Sequence, residues 1–331
     1  MSARSCLVVL VNWRRANDTI ACIASLHGLA HTDWTVVICD NASADGSDLT
    51  LRRHLTQYGD EVPVPQTEPG VTTFTYSNPK ETSPQHILVL SDTNWGFAGG
   101  NNLAYRVATV QRCFDYVWFL NNDTEVEPDT LSLMLSRMQE DLRIGICGAT
   151  LVYSHNREMV QALGGAVYWP WVGLLKELGQ GETWPQQTID QAEIEAQMSY
   201  VSGASMLTSA AFLEHVGLMS EEYFLYYEEI DWAVRARRAG FRLGYASKAV
   251  VYHKEGAALG SGKNQHRSAL AEYYGVRNRL VITRKFYHWM LPTVLAASWL
   301  QVAKRLLQGQ WGRARLMAAV LLGVKRSAPS R

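Results

Sequence analysis

The stretch CLVVLVNW, residues 6–13, is a near-continuous apolar run that stops at Asn12. Uninterrupted runs of this length are typical of strands that are buried on both faces. WTVVICD (34–40) and HILVLSD (86–92) have the same form, and YVWFLNND (116–123) is a fourth run that ends in polar residues. Segments typical of helices lie between these runs, so the sequence predicts a parallel α/β sheet.

Capping and turn residues predict where the intervening segments begin. We expect Asn17 or Asp18 to cap the first helix, and Ser47 or Asp48 to begin the second. Residues 59–86 are rich in Pro, Thr, Gly and Ser, which predicts a long irregular connection.

Each of the four predicted strands ends in polar residues. In parallel sheets, ligands bind at the carboxyl ends of the strands. The sequence therefore predicts one ligand-binding crevice at this edge of the sheet. The polar ends are Asn12–Trp13, Asp40–Asn41, Asp92–Asn94 and Asn121–Asp123.

The second half of the chain shows a less regular pattern. Residues 145–200 are expected to be less regular, and residues 199–217 are typical of a strand, a Gly turn and a helix. Residues 223–240 are aromatic, then acidic, then helical, with Gly240 just after the helix. Residues 241–256 predict strands that lead to His253.

The composition is that of a folded protein with a large core. Of the 331 residues, 47% are hydrophobic and 19% are charged, which excludes a disordered or collagen-like chain. The formal net charge of zero argues against a protein that coats nucleic acid, so no nucleic-acid partner is expected.

The charge is unevenly distributed along the chain. Residues 273–331 carry 11 basic and no acidic side chains, whereas residues 1–272 carry 20 basic and 31 acidic ones, a net charge of −11. An acidic body with a basic, apolar tail favours contact with an anionic partner such as a membrane surface.

The cysteine pattern indicates a reducing compartment. The five cysteines are widely spaced among apolar residues and include no C-x-x-C pair, so we expect buried, reduced thiols in a cytosolic protein. No run approaches the roughly 18 apolar residues of a membrane-spanning helix. The cysteines are Cys6, Cys22, Cys39, Cys113 and Cys147.

Two motifs could contact an anionic ligand. A carboxylate at Asn121–Asp123 could bind a divalent cation that also holds a diphosphate, but it could equally cap the helix near Pro128. GFAGGNN (96–102) could form a loop that lets the backbone approach an anion, or it could be a plain turn.

Two further positions could take part in acid–base or metal chemistry. EEID (228–231) places three carboxylates within four residues, and burial with like charges would raise a carboxyl pKa toward that of a general base. A solvated acidic helix start is the alternative. His253 ends an apolar strand, where a lone His is more often a satisfied core or surface residue than a ligand.

Taken together and in this order, six stretches resemble glycosyltransferase family 2, and more closely its bacterial rhamnosyltransferase-like branch. They cover most of residues 7–262, and the tail, with RNRLVITRKF and QGQWGRARLMAAVLLGVKRS, is similar to that branch as well. The six stretches are VVLVNW, VVICDNASADGS, NWGFAGGNN, VWFLNNDTEVEPDTL, VSGASMLTSAAFLEHVGLMSEEYFLYYEEIDWAVRARRAGFRLGY and AVVYHKEGAALG.

The resemblance implies a GT-A fold within residues 1–272, with a nucleotide-binding part at about 1–125 and an acceptor part at about 126–272. A basic amphipathic helical tail would follow at 273–331. The implied activity is inverting, Mg²⁺- or Mn²⁺-dependent transfer of a sugar from a nucleotide-sugar donor to a lipid-linked or polysaccharide acceptor. L-Rhamnose from dTDP-rhamnose is the sugar this branch suggests. A UDP- or GDP-sugar donor and a non-catalytic sugar-nucleotide-binding module are the alternatives.

The family's motifs also imply roles for individual residues. Its D-x-D motif falls on 121–123, so Asp123 would hold the metal, and His253 would complete the metal site. Its Glu-Asp-x-Asp motif falls on Glu228, Glu229 and Asp231, with Glu229 at the catalytic base position. The implied donor-binding residues are Asn12, Trp13, Asp40, Asn94, Gly96, Phe97, Gly99, Gly100, Asn101 and Asn122.

The sequence departs from the family pattern at two of these positions. Asn121 replaces the first Asp of D-x-D, and Glu229 replaces the usual Asp, so the resemblance leaves open whether Glu228 or Glu229 reaches the acceptor.

The tail segment TVLAASWLQVAKRLLQ (293–308) has helical periodicity, with Ser298, Gln301, Arg305 and Gln308 on one face. Basic residues with Trp and Leu are typical of a helix in an anionic membrane interface, here over 289–326. The alternative is a helical pair packed on the catalytic domain or on a second subunit, as in a homo-oligomer. The expected location is cytoplasmic, peripheral on the cytosolic face of the inner membrane. The apolar residues are Val294, Leu295, Trp299, Leu300, Val302 and Leu306.

Overall fold

The computed structural model describes residues 4–66, 68–77, 85–110, 112–185, 188–254 and 268–324. The part of the last family-like stretch beyond Lys254, and the basic pair Lys325–Arg326 of the tail, lie outside the described residues.

Strands and helices alternate through the first part of the chain. Strands β5, β2, β1 and β6 lie side by side in that order and pair in parallel, which confirms the predicted parallel sheet. The elements are β1 (Cys6–Asn12), α1 (Ala16–Leu26), β2 (Trp34–Asn41), α2 (Ser47–Leu55), β3 (Asp60–Val64), β4 (Val71–Ser77), β5 (Gln85–Ser91), α3 (Gly96–Thr109), β6 (Tyr116–Leu120), β7 (Thr124–Val126) and α4 (Thr130–Glu140).

Three local predictions for this part are corrected. Helix α1 begins at Ala16, so neither Asn17 nor Asp18 caps it, whereas α2 begins at Ser47 as expected. The predicted irregular connection contains the antiparallel hairpin β3–β4, whose second strand extends the sheet beside β5. The predicted Gly-rich loop at 96–102 is instead the start of α3.

The second part of the chain continues the sheet in mixed directions. Strand β13 pairs antiparallel with β6, and β8, β14 and β7 follow it outward, while β9 pairs with β8. Strands β11, β10 and β12 form a separate small sheet. The elements are β8 (Ile144–Tyr153), β9 (Asn156–Leu163), β10 (Gly165–Trp169), β11 (Leu174–Glu177), α5 (Gln191–Gln197), β12 (Tyr200–Val201), β13 (Ser205–Ser209), α6 (Ala210–Val216), α7 (Glu228–Arg238) and β14 (Arg242–His253).

Two predictions for this part are therefore revised. Residues 145–200 are largely regular, because β8 alone is a ten-residue buried strand. A single strand, β14, leads to His253, and its register with β8 shifts between Ala246 and Val250. Gly240 follows α7 with a φ of +84°, which confirms the predicted helix end.

The sheet separates two hydrophobic cores. Along β1, Leu7 and Val9 belong to one core, and Val8 and Leu10 belong to the other. All four side chains are fully buried, as expected because successive strand residues point to opposite faces. Both faces of the central sheet are thus covered, and its carboxyl edge carries the polar residues.

Helices α8 (Ala269–Phe286), α9 (Leu291–Leu307) and α10 (Trp311–Leu321) follow the sheet domain. Buried Val276 of α8 packs with Val302 and Met317, so the three helices share a small core. Ile282 of α8 lies in the same core as Leu7 and Val9, so α8 packs on the sheet domain, which favours the alternative that the tail packs on the catalytic domain. Helix α8 crosses the predicted boundary at 272–273, and the boundary itself stays a prediction.

No helix in the described part of the chain is both long and apolar enough to span a bilayer. Among the cysteines, Cys113 is exposed, contrary to expectation, while the other four are buried.

Candidate active site

A cavity of about 810 Å³ opens at the carboxyl ends of β1, β2 and β6. Trp13, Asn41 and Asn121–Asp123 line it from the sheet, and Glu228 and Glu229 line it from the start of α7. The predicted crevice is therefore present, and it brings the proposed metal ligands and the proposed base into one space.

Asp123 and His253 face each other at one side of this cavity. The Asp123 carboxylate oxygen is 3.2 Å from Nε2 of His253, and Nδ1 of His253 is 3.0 Å from the Gln161 amide oxygen. Burial opposes ionisation of Asp123, but the charge and hydrogen bond of His253 outweigh it and lower the pKa of Asp123. When Nδ1–H of His253 donates to the Gln161 amide oxygen, Nε2 faces Asp123: in the charged ring Nε2–H donates to the carboxylate, and in the neutral ring Nε2 would offer its lone pair to a metal ion bound between the two residues.

The donor set fits a divalent cation only in part. In the described ranges, no group of three or more His, Cys, Asp or Glu side chains is placed to hold a metal ion. Two protein ligands suit Mg²⁺ or Mn²⁺, which commonly take their remaining ligands from water and substrate phosphates.

A buried hydrogen-bond network supports the sheet side of the cavity. The amide of Asn12 donates to the Asp40 carboxylate at 2.9 Å and its oxygen accepts from the Thr19 hydroxyl at 2.8 Å. Thr19 in turn accepts from the amide of Asn122 at 2.8 Å. Burial raises the pKa of Asp40. Asn12 and Asp40 do not line the cavity themselves, so their contact with it runs through Thr19 to the lining residue Asn122.

The start of α3 joins the two sides of the cavity. Gly96 has a φ of +73°, and a side chain there would overlap the Phe224 carbonyl. The next amide, of Phe97, donates to that carbonyl at 2.7 Å. Gly99 and Gly100 do not line the cavity; their missing side chains let α3 pack closely against neighbouring residues.

The segment before α7 has a strained backbone. Phe224, Tyr226 and Tyr227 have φ values of +62°, +67° and +78°, in the region that side chains other than glycine rarely adopt. The amide of fully buried Asn278, on α8, donates to the carbonyls of Tyr223, Leu225 and Tyr226 at 2.8–3.0 Å. Helix α8 therefore holds the segment that presents the carboxylates.

Glu228 and Glu229 differ in environment. Glu228 is 1% exposed and burial, followed by repulsion from Glu229, raises its pKa well above the ordinary value. Its Oε2 has no hydrogen-bond partner within the described structure. Burial raises the pKa of half-buried Glu229 to about 7. Glu229 is the less buried of the two, so it is more accessible to an incoming hydroxyl and is the better candidate for a base.

Gly203 makes room for the Glu229 carboxylate. A side chain at Gly203 would overlap Oε1 of Glu229. Gly203 lies in the turn between β12 and β13 and lines the cavity itself.

Asp231 has a different place from the other two carboxylates. It is fully buried, it does not line the cavity, and it accepts from the Tyr223 hydroxyl at 2.9 Å. Arg235 and Lys285 approach it at 2.7 and 2.6 Å. Its contacts are those of a residue that fixes α7 against α8.

The cavity also has lining residues that sequence reasoning missed. The local sequence of α8 and α9 gave no signal for a site, because these residues reach the cavity only through packing of the tail helices. The missed residues include Gln161, Gly203, Arg279, Gln301, Lys304 and Arg305, while the predicted residues that line the cavity are Trp13, Asn41, Asn94, Gly96, Phe97, Asn101, Asn121, Asn122, Asp123, Glu228, Glu229 and His253.

Comparison with known proteins gives consistent matches. A model of the family Glycosyltransferase like family 2 matches residues 6–275. A low-salt glycan biosynthesis hexosyltransferase of Haloferax volcanii is 22% identical over 219 residues, 64% of this chain and 67% of that protein. An N-acetylglucosaminyl-diphospho-decaprenol L-rhamnosyltransferase of Mycobacterium tuberculosis is 24% identical over 170 residues, 47% of this chain. The match spans about half of that relative, 52% of its length.

Two solved structures share the fold at low sequence identity. The mannosyltransferase PcManGT from Pyrobaculum calidifontis, in complex with GDP-Man and Mn²⁺, has a TM-score of 0.52 at 14% identity, covering 98% of this chain and 82% of that one. GalNAc-T7 with UDP, GalNAc and Mn²⁺ has a TM-score of 0.57 at 11% identity, covering 87% and 50%. Both have the GT-A fold, so the predicted fold class is confirmed.

Proposed function

The chain belongs to the family Glycosyltransferase like family 2, and on this basis we propose that it is an inverting, metal-dependent transferase. It would move a hexosyl group from a nucleotide-sugar donor to a hydroxyl of its acceptor. The observation that carries this proposal is the placement of Glu229 in the same cavity as the pair Asp123 and His253.

Glu229 is the proposed general base. A hydroxyl that attacks the anomeric carbon loses its proton, and a carboxyl with a pKa of about 7 is ionised in a useful fraction of molecules at neutral pH. A single base without a separate enzymatic nucleophile suits one direct displacement, which inverts the anomeric configuration. Burial raises the pKa of Glu228 beside it as well, which favours the protonated form of that carboxyl and would lower the repulsion of an anionic donor.

Asp123 and His253 are the proposed protein ligands of the divalent cation. When bound, such a cation neutralises charge on the leaving nucleoside diphosphate. The Mn²⁺ in the two structural neighbours agrees with this role. On the protein side, the network of Asn12, Thr19 and Asn122 would keep the polar strand ends in place for the donor.

The donor and acceptor are proposed from the relatives. The name of the Mycobacterium tuberculosis relative specifies L-rhamnose and a diphosphate-linked lipid acceptor, so dTDP-rhamnose and a lipid-linked saccharide are the first pair to test. UDP- and GDP-sugars remain the alternative donors. The proposed location is the cytosolic face of the inner membrane, with the tail helices against the lipid.

A donor panel tests the activity. Wild type, Glu229→Gln and a control, Glu214→Gln, are incubated with dTDP-rhamnose, UDP-sugars and GDP-sugars, with Mg²⁺, Mn²⁺ or EDTA, and nucleotide release is measured. Glu214 is exposed and does not line the cavity. We expect metal-dependent release with one donor, reduced about 100-fold or more in Glu229→Gln but retained in Glu214→Gln.

Two results would reject the transferase. Tight donor binding without release, under every metal and acceptor condition, would support the non-catalytic binding module instead. Full activity of Glu229→Gln would reject Glu229 as the base.

A further inference from the structure

Acidic and basic side chains line the cavity from different parts of the fold. Asp123, Glu177, Glu228 and Glu229 line it from the sheet domain, and Glu272 lines it from α8. The Lys and Arg residues among its described lining lie on α8 and α9 only, namely Arg279, Lys304 and Arg305.

These cations differ in their partners. Arg305 pairs with the Glu272 carboxylate at 3.2 Å, and Arg313 approaches the same carboxylate at 3.6 Å. Within the described residues, neither Arg279 nor Lys304 forms an ion pair with a carboxylate. Arg279 is instead positioned by neutral groups, because it donates to the Gln301 amide oxygen at 2.9 Å. Two positive charges therefore face the cavity without a protein counter-charge.

Their position is on the side of the proposed base. Nε of Arg279 lies 3.5 Å from the hydroxyl of Tyr227, the residue just before the two carboxylates of α7. Asp123 and His253, the proposed ligands of the donor's metal, lie beside Gln161 and Asn121 of the sheet domain. An anion bound by the two cations would thus belong to the molecule that approaches Glu229.

Helix α9 also turns an apolar surface outward. Its polar stripe of Ser298, Gln301 and Arg305 faces α8 and the cavity. Its exposed face carries Leu300 and Leu307, which are 72% and 90% exposed. One helix therefore presents charge to the cavity and an apolar face to the surroundings.

We propose that Arg279 and Lys304 form a second anion site, which binds the diphosphate of a lipid-linked acceptor. The inference rests on the proposed function and adds to it the residues that would bind the diphosphate of the acceptor. Charge complementarity carries it: a diphosphate would neutralise both cations, whereas an uncharged saccharide would leave them facing the cavity unpaired. The exposed apolar face of α9 would then lie beside the lipid chain.

The test measures binding of decyl diphosphate to the full chain by calorimetry, with the donor site filled by a nucleoside diphosphate and Mn²⁺. The variants are Arg279→Gln, Lys304→Gln and Lys304→Arg, with Arg315→Gln as a control for general charge on the tail. Lys304 and Arg315 are exposed, so their replacement should leave the fold intact. We expect each Gln variant at 279 and 304 to weaken binding roughly fivefold to tenfold, while Lys304→Arg and Arg315→Gln bind like wild type.

Three results would overturn the inference. These are unchanged binding in both Gln variants, an equal loss in Arg315→Gln, and equally strong competition by phosphatidylglycerol vesicles, which would indicate a headgroup site. Failure of the proposed function is separate, because it would appear as no nucleotide release by wild type from any donor. Normal transfer with unchanged diphosphate binding in the variants would reject this inference alone.

Discussion

Substitution of Asn278 gives the sharpest prediction about the base-bearing segment, residues 223–229, which carries the proposed base Glu229. Its side-chain amide has two N–H groups, and three backbone carbonyls of residues 223–226 share them. Replacing it by Ala leaves at least two carbonyls without their buried donors, at about 1–3 kcal/mol each. Water entering the gap would recover part of that loss, so we expect Asn278→Ala to lower the free energy of unfolding by about 2–4 kcal/mol.

Asn278→Ala should reduce activity more than a substitution outside the cavity that lowers the free energy of unfolding by a similar amount. Phe224, Tyr226 and Tyr227 hold left-handed conformations that cost about 1–3 kcal/mol each, and release of the segment would let them relax and move Glu229. Urea unfolding measures the first effect, and donor turnover well below the unfolding midpoint measures the second. Thr208→Val is the matched control, because it removes one buried hydrogen bond to the Val117 carbonyl outside the cavity.

A second substitution separates hydrogen bonding from shape. Asn278→Asp keeps the size of the side chain but places an oxygen where the amide nitrogen faces three carbonyl oxygens. We expect Asp to be more destabilising than Ala, despite its closer shape. If Asp is tolerated as well as Ala, or if Thr208→Val loses as much activity as Asn278→Ala, the reasoning is wrong.

Three further predictions follow from the same cavity and tail. The rate of transfer should rise with pH through about 7 as Glu229 ionises, and a flat profile between about pH 5.5 and 8 would exclude Glu229 as the base. In the ligand-free protein, the raised pKa of Glu229 means that its protonated form stabilises the folded state. This contribution to the free energy of unfolding is full below the ordinary pKa of 4.5 and disappears as the pH rises through about 7. Gly203→Ala should reduce turnover more than thermal stability, because the added methyl group overlaps an oxygen at the end of the flexible Glu229 side chain, which can move aside. In the control Gly312→Ala, the added methyl group meets no atom within 4 Å, so neither turnover nor thermal stability should change. Equal turnover in both variants would contradict this prediction. Leu300→Ser with Leu307→Ser should reduce pelleting with anionic liposomes, and unchanged pelleting would reject the apolar face of α9 as the contact.

Hydrophobic pattern predicted the central strands because burial on both faces leaves a strong signal. The runs at 6–13, 34–40, 86–92 and 116–123 became β1, β2, β5 and β6. The hairpin β3–β4 was not predicted, because it lies at the edge of the sheet. The sequence of β4, VTTFTYS, mixes buried and exposed residues and contains Thr in place of aliphatic residues. Edge strands need only one buried face, so their composition resembles that of a connection.

Local motifs likewise predicted only part of the site. Asp123, Glu229 and His253 came from motifs, and the fold brings all three to one cavity. Gly203 and Asn278 had no such signal, since their roles arise from contacts with residues 26 and more than 50 positions away in the chain. Such contacts depend on tertiary packing that no short pattern encodes.

Periodicity found the two faces of α9 but not their orientation. An amphipathic helix usually turns its apolar stripe inward. Here Ser298 is buried together with Val294 and Val302, whereas Leu300 is exposed, because Ser298 and Gln301 meet Arg279 of α8 at the cavity. A polar neighbour of this kind cannot be recognised from the sequence of α9 alone.

The contacts of α8 bear on how the chain can be shortened. Ending it near residue 272 would remove Asn278, the amide donor of the base-bearing segment, and Lys285, a partner of Asp231. Such a fragment would lose the support of the segment that carries Glu229 together with the surface proposed to face a membrane, so its inactivity would not test lipid binding. Point substitutions on the outer face of α9 keep α8 whole, so they are the way to separate what the tail does for the fold from what it does at a bilayer.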